Sequence, residues 1–379
     1  MTDAGTPIIL YGRLYTKYQF AISEVDTFAV PRNGAVYSQG NEVIVPASGE
    51  TAEDIARASA VEKSGVLLGG DLNILRPFDF INPLFLALAI SNGEPQKELA
   101  KKAQGKSVVH IHNTDIQEVT IAYPSRTEQD RIVSVFRQLD HLITLHQRKF
   151  EKLTNVKKSM LEKMFPQNGS SYPEIRFKGF TDPWEQRKLG ELVDRVVRKN
   201  TNNESTLPLT ISAQYGLVDQ ITYFNNRVAS RDVSNYYLVL NGEFAYNKST
   251  SDGYPFGAVK RLDLYEKGVL STLYIVFAPK KEQQIDSDYL TVFFDTDRWH
   301  KGVAERAAEG ARNHGLLNIS AEDFFDIDLS VPKDIVEQKQ IGAFIRQLDN
   351  LITLHQRKPF LMKWRTSDAN RNQTNRLVL

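Results

Sequence analysis

The sequence contains no cysteine among its 379 residues. This absence excludes disulfides, thiol nucleophiles and cysteine-ligated zinc. No apolar run approaches the length of a membrane span, and the first residues, MTDAGTPIILYG, lack the features of a signal peptide. The formal net charge is only +1, so binding to a polyanion would have to depend on local basic patches. We therefore expect a soluble, cytoplasmic protein with two or three domains and no contact with membranes.

A segment near the middle of the chain occurs again near its end with a single change. RQLDHLITLHQRK covers residues 137–149, RQLDNLITLHQRK covers residues 346–358, and the two differ only at His141 and Asn350. A repeat of this length indicates that the chain consists of two related halves, each ending in the same helix.

The repeated helices carry apolar residues and histidine at alternating steps of four and three, the roughly 3.5-residue spacing of a coiled-coil seam. Two such helices in one chain can pair antiparallel and hold a domain at each end. The alternative is that each helix packs only on its own domain. The predicted seam consists of Ile132, Phe136, Leu139, Ile143, His146, Phe150, Leu153, Ile341, Ile345, Leu348, Ile352 and His355.

Local signals also predict where the helices begin and end. Ser125-x-x-Glu128 and Asp334-x-x-Glu337 each follow a proline and predict capping boxes at the two helix starts. We expect the first helix to run from about Thr127 to Met164. Pro359 should break the second helix just after the repeat.

The rest of the chain predicts an α+β fold with two mixed α/β domains that share one scaffold and differ in their loops. For example, Glu42-Val43-Ile44 aligns with Glu243-Phe244-Ala245, whereas residues 184–201 have no counterpart upstream. The run from Pro83 to Ile90 predicts a buried helix. The predicted segments are a first domain at 1–123 with a shortened N-terminus, a central helix at 124–165, a linker at 166–183, a second domain at 184–331, a shortened distal helix at 332–358 and a disordered tail at 359–379.

Loops after the predicted strands combine basic, amide, hydroxyl and aromatic side chains, a mixture that reaches the phosphates and base edges of DNA. Such stretches recur at equivalent places in both domains, and Arg298 to Lys301 (RWHK) adds an aromatic residue to one of them. For any single cluster the alternative is an ordinary solvated loop. The candidate DNA contacts are Ser48, Glu50, Thr51, Lys101, Lys102 and Lys106 in the first domain and Asn247, Lys248, Ser249, Ser251, Tyr254, Lys301, Arg306, Arg312 and His314 in the second.

The sequence offers no catalytic centre and no metal site. Asn82-Pro83-Leu84-Phe85 resembles the NPP[YF] tetrapeptide of adenine methyltransferases, but its third residue differs. Residues 310–315 (GARNHG) have the spacing of a phosphate loop without its Lys-Ser/Thr pair. His110 and His112 alternate along a predicted strand, and no third metal ligand accompanies them.

Several of these segments together resemble the specificity subunit of type I restriction–modification enzymes. In the second half the resemblance rests on WEQRKLGEL (184–192), EGARNHGLLNISAEDFFDIDLSVP (309–332) and KSMLEKMFP (158–166). An EQ-x-x-I motif also precedes both copies of the repeated helix. In the first half, YGRLYTKY (11–18), SGETAEDI (48–55) and GVLLGGDLNILRP (65–77) are similar to recognition domains of the same family.

The resemblance implies two target-recognition domains, each reading one half of a split, asymmetric site on double-stranded DNA, with antiparallel helices that set the gap. It implies a non-catalytic subunit without a cofactor of its own. Residues 128–164 and 337–358 would dock two modification subunits that use S-adenosylmethionine to methylate an adenine in each half-site. Restriction subunits would add ATP- and Mg²⁺-dependent translocation and cleavage.

Two alternatives stay open at this point. The chain could be a truncated or rearranged relative that binds partner subunits but reads no complete DNA site, because both of its ends look shortened. It could also be a stand-alone methyltransferase that depends on Asn82.

Overall fold

The chain folds into two units. The structure is a computed structural model that describes residues 5–105, 107–167, 169–212, 215–251, 253–282, 284–307, 315, 317–364 and 375–378, with the backbone alone described for 357–364 and 375–378. Unit 1 comprises Met1–His146 with Lys358–Leu379, and unit 2 comprises Gln147–Arg357. Both boundaries lie inside long helices, so each long helix contributes to both units.

Unit 1 is built from short strands, short helices and the first part of a long helix. Its strands are β1 (Thr6–Ile9), β2 (Ala21–Ile22), β3 (Phe28–Ala29), β4 (Val36–Tyr37), β5 (Glu42–Pro46), β6 (Ser48–Gly49), β7 (Ser59–Val61), β8 (Leu67–Leu68), β9 (Leu72–Leu75), β10 (Val109–His110) and β11 (Thr120–Tyr123). Its helices are α1 (Arg13–Thr16), α2 (Ala52–Ile55), α3 (Pro83–Ile90), α4 (Gly93–Lys102) and α5 (Asn113–Gln117), followed by the long α6 (Arg126–Lys163), which continues into unit 2.

Unit 2 contains a similar series. Its strands are β12 (Glu185–Lys188), β13 (Val193–Arg195), β14 (Leu209–Ser212), β15 (Gly216–Asp219), β16 (Tyr237–Leu240), β17 (Phe244–Asn247), β18 (Ala258–Arg261), β19 (Lys267–Leu270), β20 (Ile275–Pro279) and β21 (Asp328–Val331). Its helices are α7 (Leu189–Leu192), α8 (Gln220–Phe224), α9 (Ser287–Phe294), α10 (His300–Arg306) and α11 (Ala321–Phe325). The long α12 (Ile335–Trp364) then leads back into unit 1, where β22 (Asn375–Val378) follows.

The central sheets of the two units share an antiparallel centre of three strands. In unit 1 the order is β2-β7-β5-β9, and in unit 2 it is β13-β20-β17-β18. The strands β5 and β17 each lie between the next two strands of their sheet in chain order, β7 and β9 in unit 1 and β18 and β20 in unit 2. The edge strand differs, because β2 pairs parallel with β7 whereas β13 pairs antiparallel with β20. Glu42 begins β5, and Glu243 immediately precedes β17. Each carboxylate accepts the backbone N–H of the residue three positions earlier, at 2.7 Å for Glu42 and 2.8 Å for Glu243. One scaffold used twice, as the sequence alignment predicts, accounts for these parallels.

Apolar side chains of the sheets and short helices form the cores. In unit 1, α3 packs its buried Leu86 and Ile90 with Val43 and Val45 of β5. The core of unit 2 is richer in aromatic rings, with Phe244 stacked on Phe277 at 5.3 Å and Tyr246 stacked on Phe324 at 4.3 Å. The first pair joins neighbouring strands of one sheet, and the second joins β17 to α11, so aromatic contacts also link the sheet to a helix of unit 2.

Within unit 2 the two long helices run antiparallel. Lys157 near the end of α6 binds Asp349 in the middle of α12. Phe165, just after α6, packs edge-on against Trp184, whose indole N–H donates to Glu337 at the start of α12. Because later residues of α6 meet earlier residues of α12, the chain directions oppose each other.

Two predictions about the C-terminal part of the chain, one on the distal helix and one on the tail, are wrong. α12 passes through Pro359 and ends at Trp364. Proline removes one N–H···O=C bond and disfavours a helix by about 3 kcal/mol, but it need not end one. The predicted disordered tail also contains a strand, β22, which pairs antiparallel with β11. The other predicted tail residues, 365–374 and 379, lie outside the described residues.

The sequence also misjudged the start of α12. Asp334 caps it as expected, accepting the N–H of Val336 at 2.7 Å. Glu337 does not complete a capping box, because its carboxylate binds Arg176 at 2.7 and 2.9 Å. By contrast, α3 has the predicted bounds and α6 lies within one residue of its predicted ends, so these predictions are confirmed.

The part of the chain that the structure describes has no helix that combines the length and the apolar character needed to cross a bilayer.

Candidate nucleic-acid interface

In unit 2 the loop after β17 packs against the segment that follows α10. The N–H of Thr250 donates to the Gly315 carbonyl at 2.6 Å, and the N–H of Leu317 donates to the Lys248 carbonyl at 3.0 Å. Ser251 and Tyr254 close the loop through a backbone bridge. Residues 247–254 and the neighbourhood of Gly315, which the sequence treats as separate patches, are therefore adjacent.

Ring contacts attach the same loop to α10. Phe256 lies 4.9 Å from the His300 ring, and the Tyr246 hydroxyl donates to the Phe256 carbonyl at 2.9 Å. Lys301 follows His300 and its side chain is 86% exposed, with only a loose contact of 3.7 Å to Glu305. This lysine can therefore bind a phosphate and give up only that loose contact with Glu305.

Other predicted contacts in unit 2 are already engaged within the protein. Arg306 binds Asp326 at 2.7 Å, and this hydrogen bond raises the pKa of Arg306. The Lys248 ammonium donates to the Ile319 carbonyl at 3.4 Å, and the Asn247 amide oxygen accepts the N–H of Ser249 at 3.0 Å. Trp299 is only 2% exposed, so its expected place in a surface patch is wrong: it belongs to the core. Arg312 and His314 lie outside the described residues.

In unit 1 the predicted contacts also converge, through β10. This strand pairs with Ser48 and Gly49 of β6, and the Ser48 hydroxyl lies 3.2 Å from His110 Nδ1. His110 in turn forms a backbone bridge with Gln104, just beyond the lysines that end α4. Strand pairing therefore joins the loop at 48–51 to the end of α4, although about 50 residues separate them.

The unit 1 contacts differ in how available they are. Glu50 and Lys101 are exposed. Thr51 caps α2 by accepting the Asp54 N–H at 3.1 Å. Lys102 is hydrogen-bonded to Glu118, which raises the pKa of this lysine. Lys106 lies outside the described residues.

The predicted seam follows the less exposed face of both helices. In α6 all seven seam positions are half-buried, from Ile132 to Leu153. In α12, Ile341, Ile345 and Leu348 join the core of unit 2, against which Leu153 also packs. His355 is 6% exposed, and Ile352 is half-buried.

The tetrapeptide at Asn82 has a structural role. The Asn82 side-chain oxygen accepts the N–H of Leu84 at 2.9 Å and caps α3, while its amide donates to Asp130 at 2.6 Å. Pro83 stands at the first helical position, where its missing N–H costs nothing. His112 precedes α5, where its backbone N–H donates to Asp115 at 2.8 Å. Among the described residues, no group of three His, Asp or Glu side chains could hold a metal ion.

Sequence reasoning missed the polar contacts that attach each domain to its helix. Gln129 and Gln338 are buried at 0% and 1% exposure, and Glu337 is buried beside Arg176. Lys157 binds both Asp349 and Asp295, in a cluster within unit 2. The EQ-x-x-I motif before each repeat could have indicated these contacts. The same Glu-Gln pair occurs at the same place in two halves that otherwise differ, which suggests that both halves use it for a shared contact.

Comparisons with known proteins give a consistent result. The family model described as "Type I restriction modification DNA specificity domain" matches residues 6–155 and again 181–360, one match for each half of the repeat. The MjaVIII specificity subunit of a type I restriction enzyme from Methanocaldococcus jannaschii is 22% identical over 165 residues, 43% of this chain and 37% of that protein. A putative MjaX specificity subunit from the same organism is 27% identical over 132 residues, 33% of this chain and 31% of that protein.

The fold has a counterpart among solved structures. The S subunit of a type I restriction–modification system from M. genitalium superposes with a TM-score of 0.55 over 96% of this chain and 87% of that chain, at 13% sequence identity. The aligned stretches span about a third of the length of the curated relatives, 37% and 31%, whereas this structural match extends over nearly the whole chain.

Proposed function

The chain belongs to the type I restriction–modification specificity family, and we propose that each of its units reads one half of a split, asymmetric DNA site. The long helices α6 and α12 then set the gap between the half-sites. In this function the chain binds double-stranded DNA and directs the chemistry of other subunits without carrying out a reaction itself.

The observation that carries the proposal is one scaffold bearing two different sets of loops. The three-stranded centres of the two sheets correspond, yet unit 1 places the ten-residue helix α4 beside the β5 loop, and unit 2 places α10 and the Gly315 segment beside the β17 loop. Specificity is usually carried by loops held on a rigid scaffold. Two loop sets of different sequence favour two different half-sites.

The catalytic partners follow from the same proposal. Two modification subunits dock along residues 128–164 and 337–358, bring S-adenosylmethionine and methylate one adenine in each half-site. Restriction subunits, where present, supply ATP- and Mg²⁺-dependent translocation and cleavage. Asn82 supports a non-catalytic role for this chain, because its amide is committed to capping α3 and to Asp130.

A genome-wide map of methylated adenine tests the proposal. Cells would express this chain with a type I modification subunit that co-purifies with it, and a matched culture would express the modification subunit alone. We expect a split motif, two different short sequences around a fixed gap, that appears only when the chain is present. A palindromic motif, or no new motif, would contradict two different half-site readers.

A second assay tests the division of labour. The purified chain is incubated with S-adenosylmethionine and DNA that carries the mapped motif. We expect no methyl transfer until the modification subunit is added. Transfer by the chain alone, abolished by Asn82→Ala, would instead support a stand-alone methyltransferase.

A further inference from the structure

One buried glutamine stands at the start of each long helix and makes the same three hydrogen bonds. In unit 1 the Gln129 side-chain oxygen accepts the N–H of Asn82 at 2.8 Å. Its amide nitrogen donates to the carbonyls of Phe80 at 3.2 Å and Pro124 at 2.9 Å. This side chain is fully buried.

Gln338 repeats the arrangement in unit 2. Its side-chain oxygen accepts the N–H of Asp286 at 2.8 Å. Its amide nitrogen donates to the carbonyls of Gln284 at 3.1 Å and Pro332 at 2.9 Å. Both distances and partner types match those of Gln129, although the loop sequences on either side differ.

Each amide therefore ties together three elements of its own unit. One bond goes to the end of the strand that leads into the long helix, and two go to the loop that caps α3 or α9. The two N–H groups of the amide and its oxygen are all used. Only an amide side chain offers this set, and asparagine carries its amide on a shorter stem. A carboxylate lacks both donors, and a methionine of similar length lacks donors and a strong acceptor.

A second attachment lies two helical turns further along. Arg137 of α6 forms an ion pair with Glu62 in unit 1. Arg346, at the equivalent position of α12, binds Asp288 at 2.8 Å in unit 2. Eight residues separate each glutamine from its arginine, roughly 12 Å along a helix. Two attachment points at this separation oppose both sliding and rotation of the domain on the helix.

We propose that Gln129 and Gln338 are positioning residues that fix the orientation of each domain on its long helix. Apolar packing is non-directional and tolerates small rotations, whereas three hydrogen bonds at one amide do not. The inference has a functional part that rests on the proposed function: the fixed orientation is what makes the gap between half-sites invariant.

The absence of cysteine allows a direct test by double electron–electron resonance in the full chain. Spin labels at Leu264→Cys and Leu354→Cys report on unit 2, and labels at Val30→Cys and Leu145→Cys report on unit 1, since all four side chains are exposed. The test variant is Gln338→Met. The matched control is Gln340→Met, because Gln340 is exposed on the same helix.

We expect Gln338→Met to broaden the unit 2 distance distribution at least twofold and to leave the unit 1 distribution unchanged. Gln129→Met should do the reverse, with the exposed Gln138→Met as its control. If Gln338→Met does not fold, Gln338→Asn keeps the amide on a shorter stem and should shift the mean distance. A lower melting temperature with unchanged distributions in both folded variants would overturn the inference, because the glutamines would then only stabilise.

The functional part is tested on DNA duplexes that carry the mapped motif with its gap lengthened or shortened by one base pair. The parent chain should discriminate against both, and Gln338→Met should reduce that discrimination at least tenfold. A parent that binds all duplexes equally would contradict the proposed function while leaving the spin-label result intact. Unchanged discrimination by a folded Gln338→Met variant would overturn the functional part of the inference alone.

Discussion

Glu128 and Glu337 occupy the same position of the repeated motif, yet their surroundings differ. Glu337 is 1% exposed and is held by Arg176 at 2.7 and 2.9 Å and by the Trp184 indole. Glu128 is exposed. The residues between α6 and β12 make the difference, because they supply both partners of Glu337. An identical motif thus has two roles, and the segment packed on it determines which.

The aspartates of the repeat show the same contrast. Asp349 is bound by Lys157 at 2.7 and 2.9 Å, and Lys157 also reaches Asp295 at 3.3 Å. Lys260 completes the cluster with a 2.8 Å bond to Asp295. Burial alone would raise the pKa of Asp295, but the two lysines outweigh it and lower the pKa.

The equivalent place in unit 1 has a hydroxyl group where unit 2 has a buried carboxylate. Asp295 follows α9, and its counterpart after α3 is Ser91, which bonds to the backbone of Ala58 at 2.8 Å. Burial raises the pKa of Asp140. Unit 2 therefore holds its helices with buried charge, whereas unit 1 uses hydroxyl and amide groups there. Buried ion pairs are costly to break one partner at a time, so the two units should respond differently to the same substitution.

The largest expected difference comes from the glutamates. Glu337→Gln should lower the free energy of unfolding of unit 2 by about 3 kcal/mol, because it leaves the Arg176 guanidinium without its carboxylate. Glu128→Gln should change stability by less than about 0.5 kcal/mol, as for other exposed sites. Urea unfolding checks this by circular dichroism and by tryptophan fluorescence, measured in a Trp364→Phe background so that only Trp184 and Trp299 in unit 2 report. Equal effects of the two substitutions would remove the contrast.

The two aspartate substitutions should have smaller effects on stability, and the effect in unit 1 should not be a loss. Asp349→Asn should cost about 1 kcal/mol, since half of the Asp349 side chain is shielded and it binds Lys157. Asp140→Asn should be neutral or stabilising at pH 7. The folded pKa of Asp140 lies above its unfolded value, so its ionised form opposes folding at neutral pH.

The pH dependence of this gain gives a control. Stability contributed by Asp140 is present below its unfolded pKa of about 4 and is lost as the pH rises through the folded pKa. Any advantage of Asp140→Asn should therefore shrink as the pH falls towards about 4. Thermal melts of the parent chain and the Asp140→Asn variant at several pH values measure this advantage. An advantage that grows on acidification would contradict the raised pKa of Asp140.

The smallest effect is expected from single lysines of the DNA patches. Lys301→Ala and Lys101→Ala should each weaken binding to the mapped site and reduce the slope of log affinity against log salt by about one unit. Lys339→Ala on α12, also exposed, is the control. If only one of the two substitutions changes the slope, the patches do not contribute equally.

Local signals predicted the elements of this fold well. Asn82 and Pro83 mark the start of α3, and the four–three stripe marks α6, because capping and helical periodicity involve residues close in sequence. The partners of charged residues were not predictable in this way. Glu337 was read as part of a capping box, but it binds Arg176, which is 161 residues away.

The candidate DNA patches were predicted in part for the same reason. Their residue types were visible in the sequence, but the pairing of β6 with β10 that joins Ser48 to His110 was not. Nor did composition distinguish Lys301, which is open to solvent, from Arg306, which is bound to Asp326. Which cations are available for a phosphate depends on contacts between residues far apart in sequence.

The pairing of β22 with β11 has a consequence for the order of folding. In unit 2 the strand before the long helix pairs with β12, and every residue of that unit lies within one continuous segment of the chain. In unit 1, by contrast, β11 has its partner strand only after Asn375 to Val378 have been synthesised. About 250 residues separate β11 from β22, so at roughly 5–20 residues per second the ribosome needs some tens of seconds to supply the missing strand. Unit 2, although it follows in sequence, can therefore complete its fold first during synthesis.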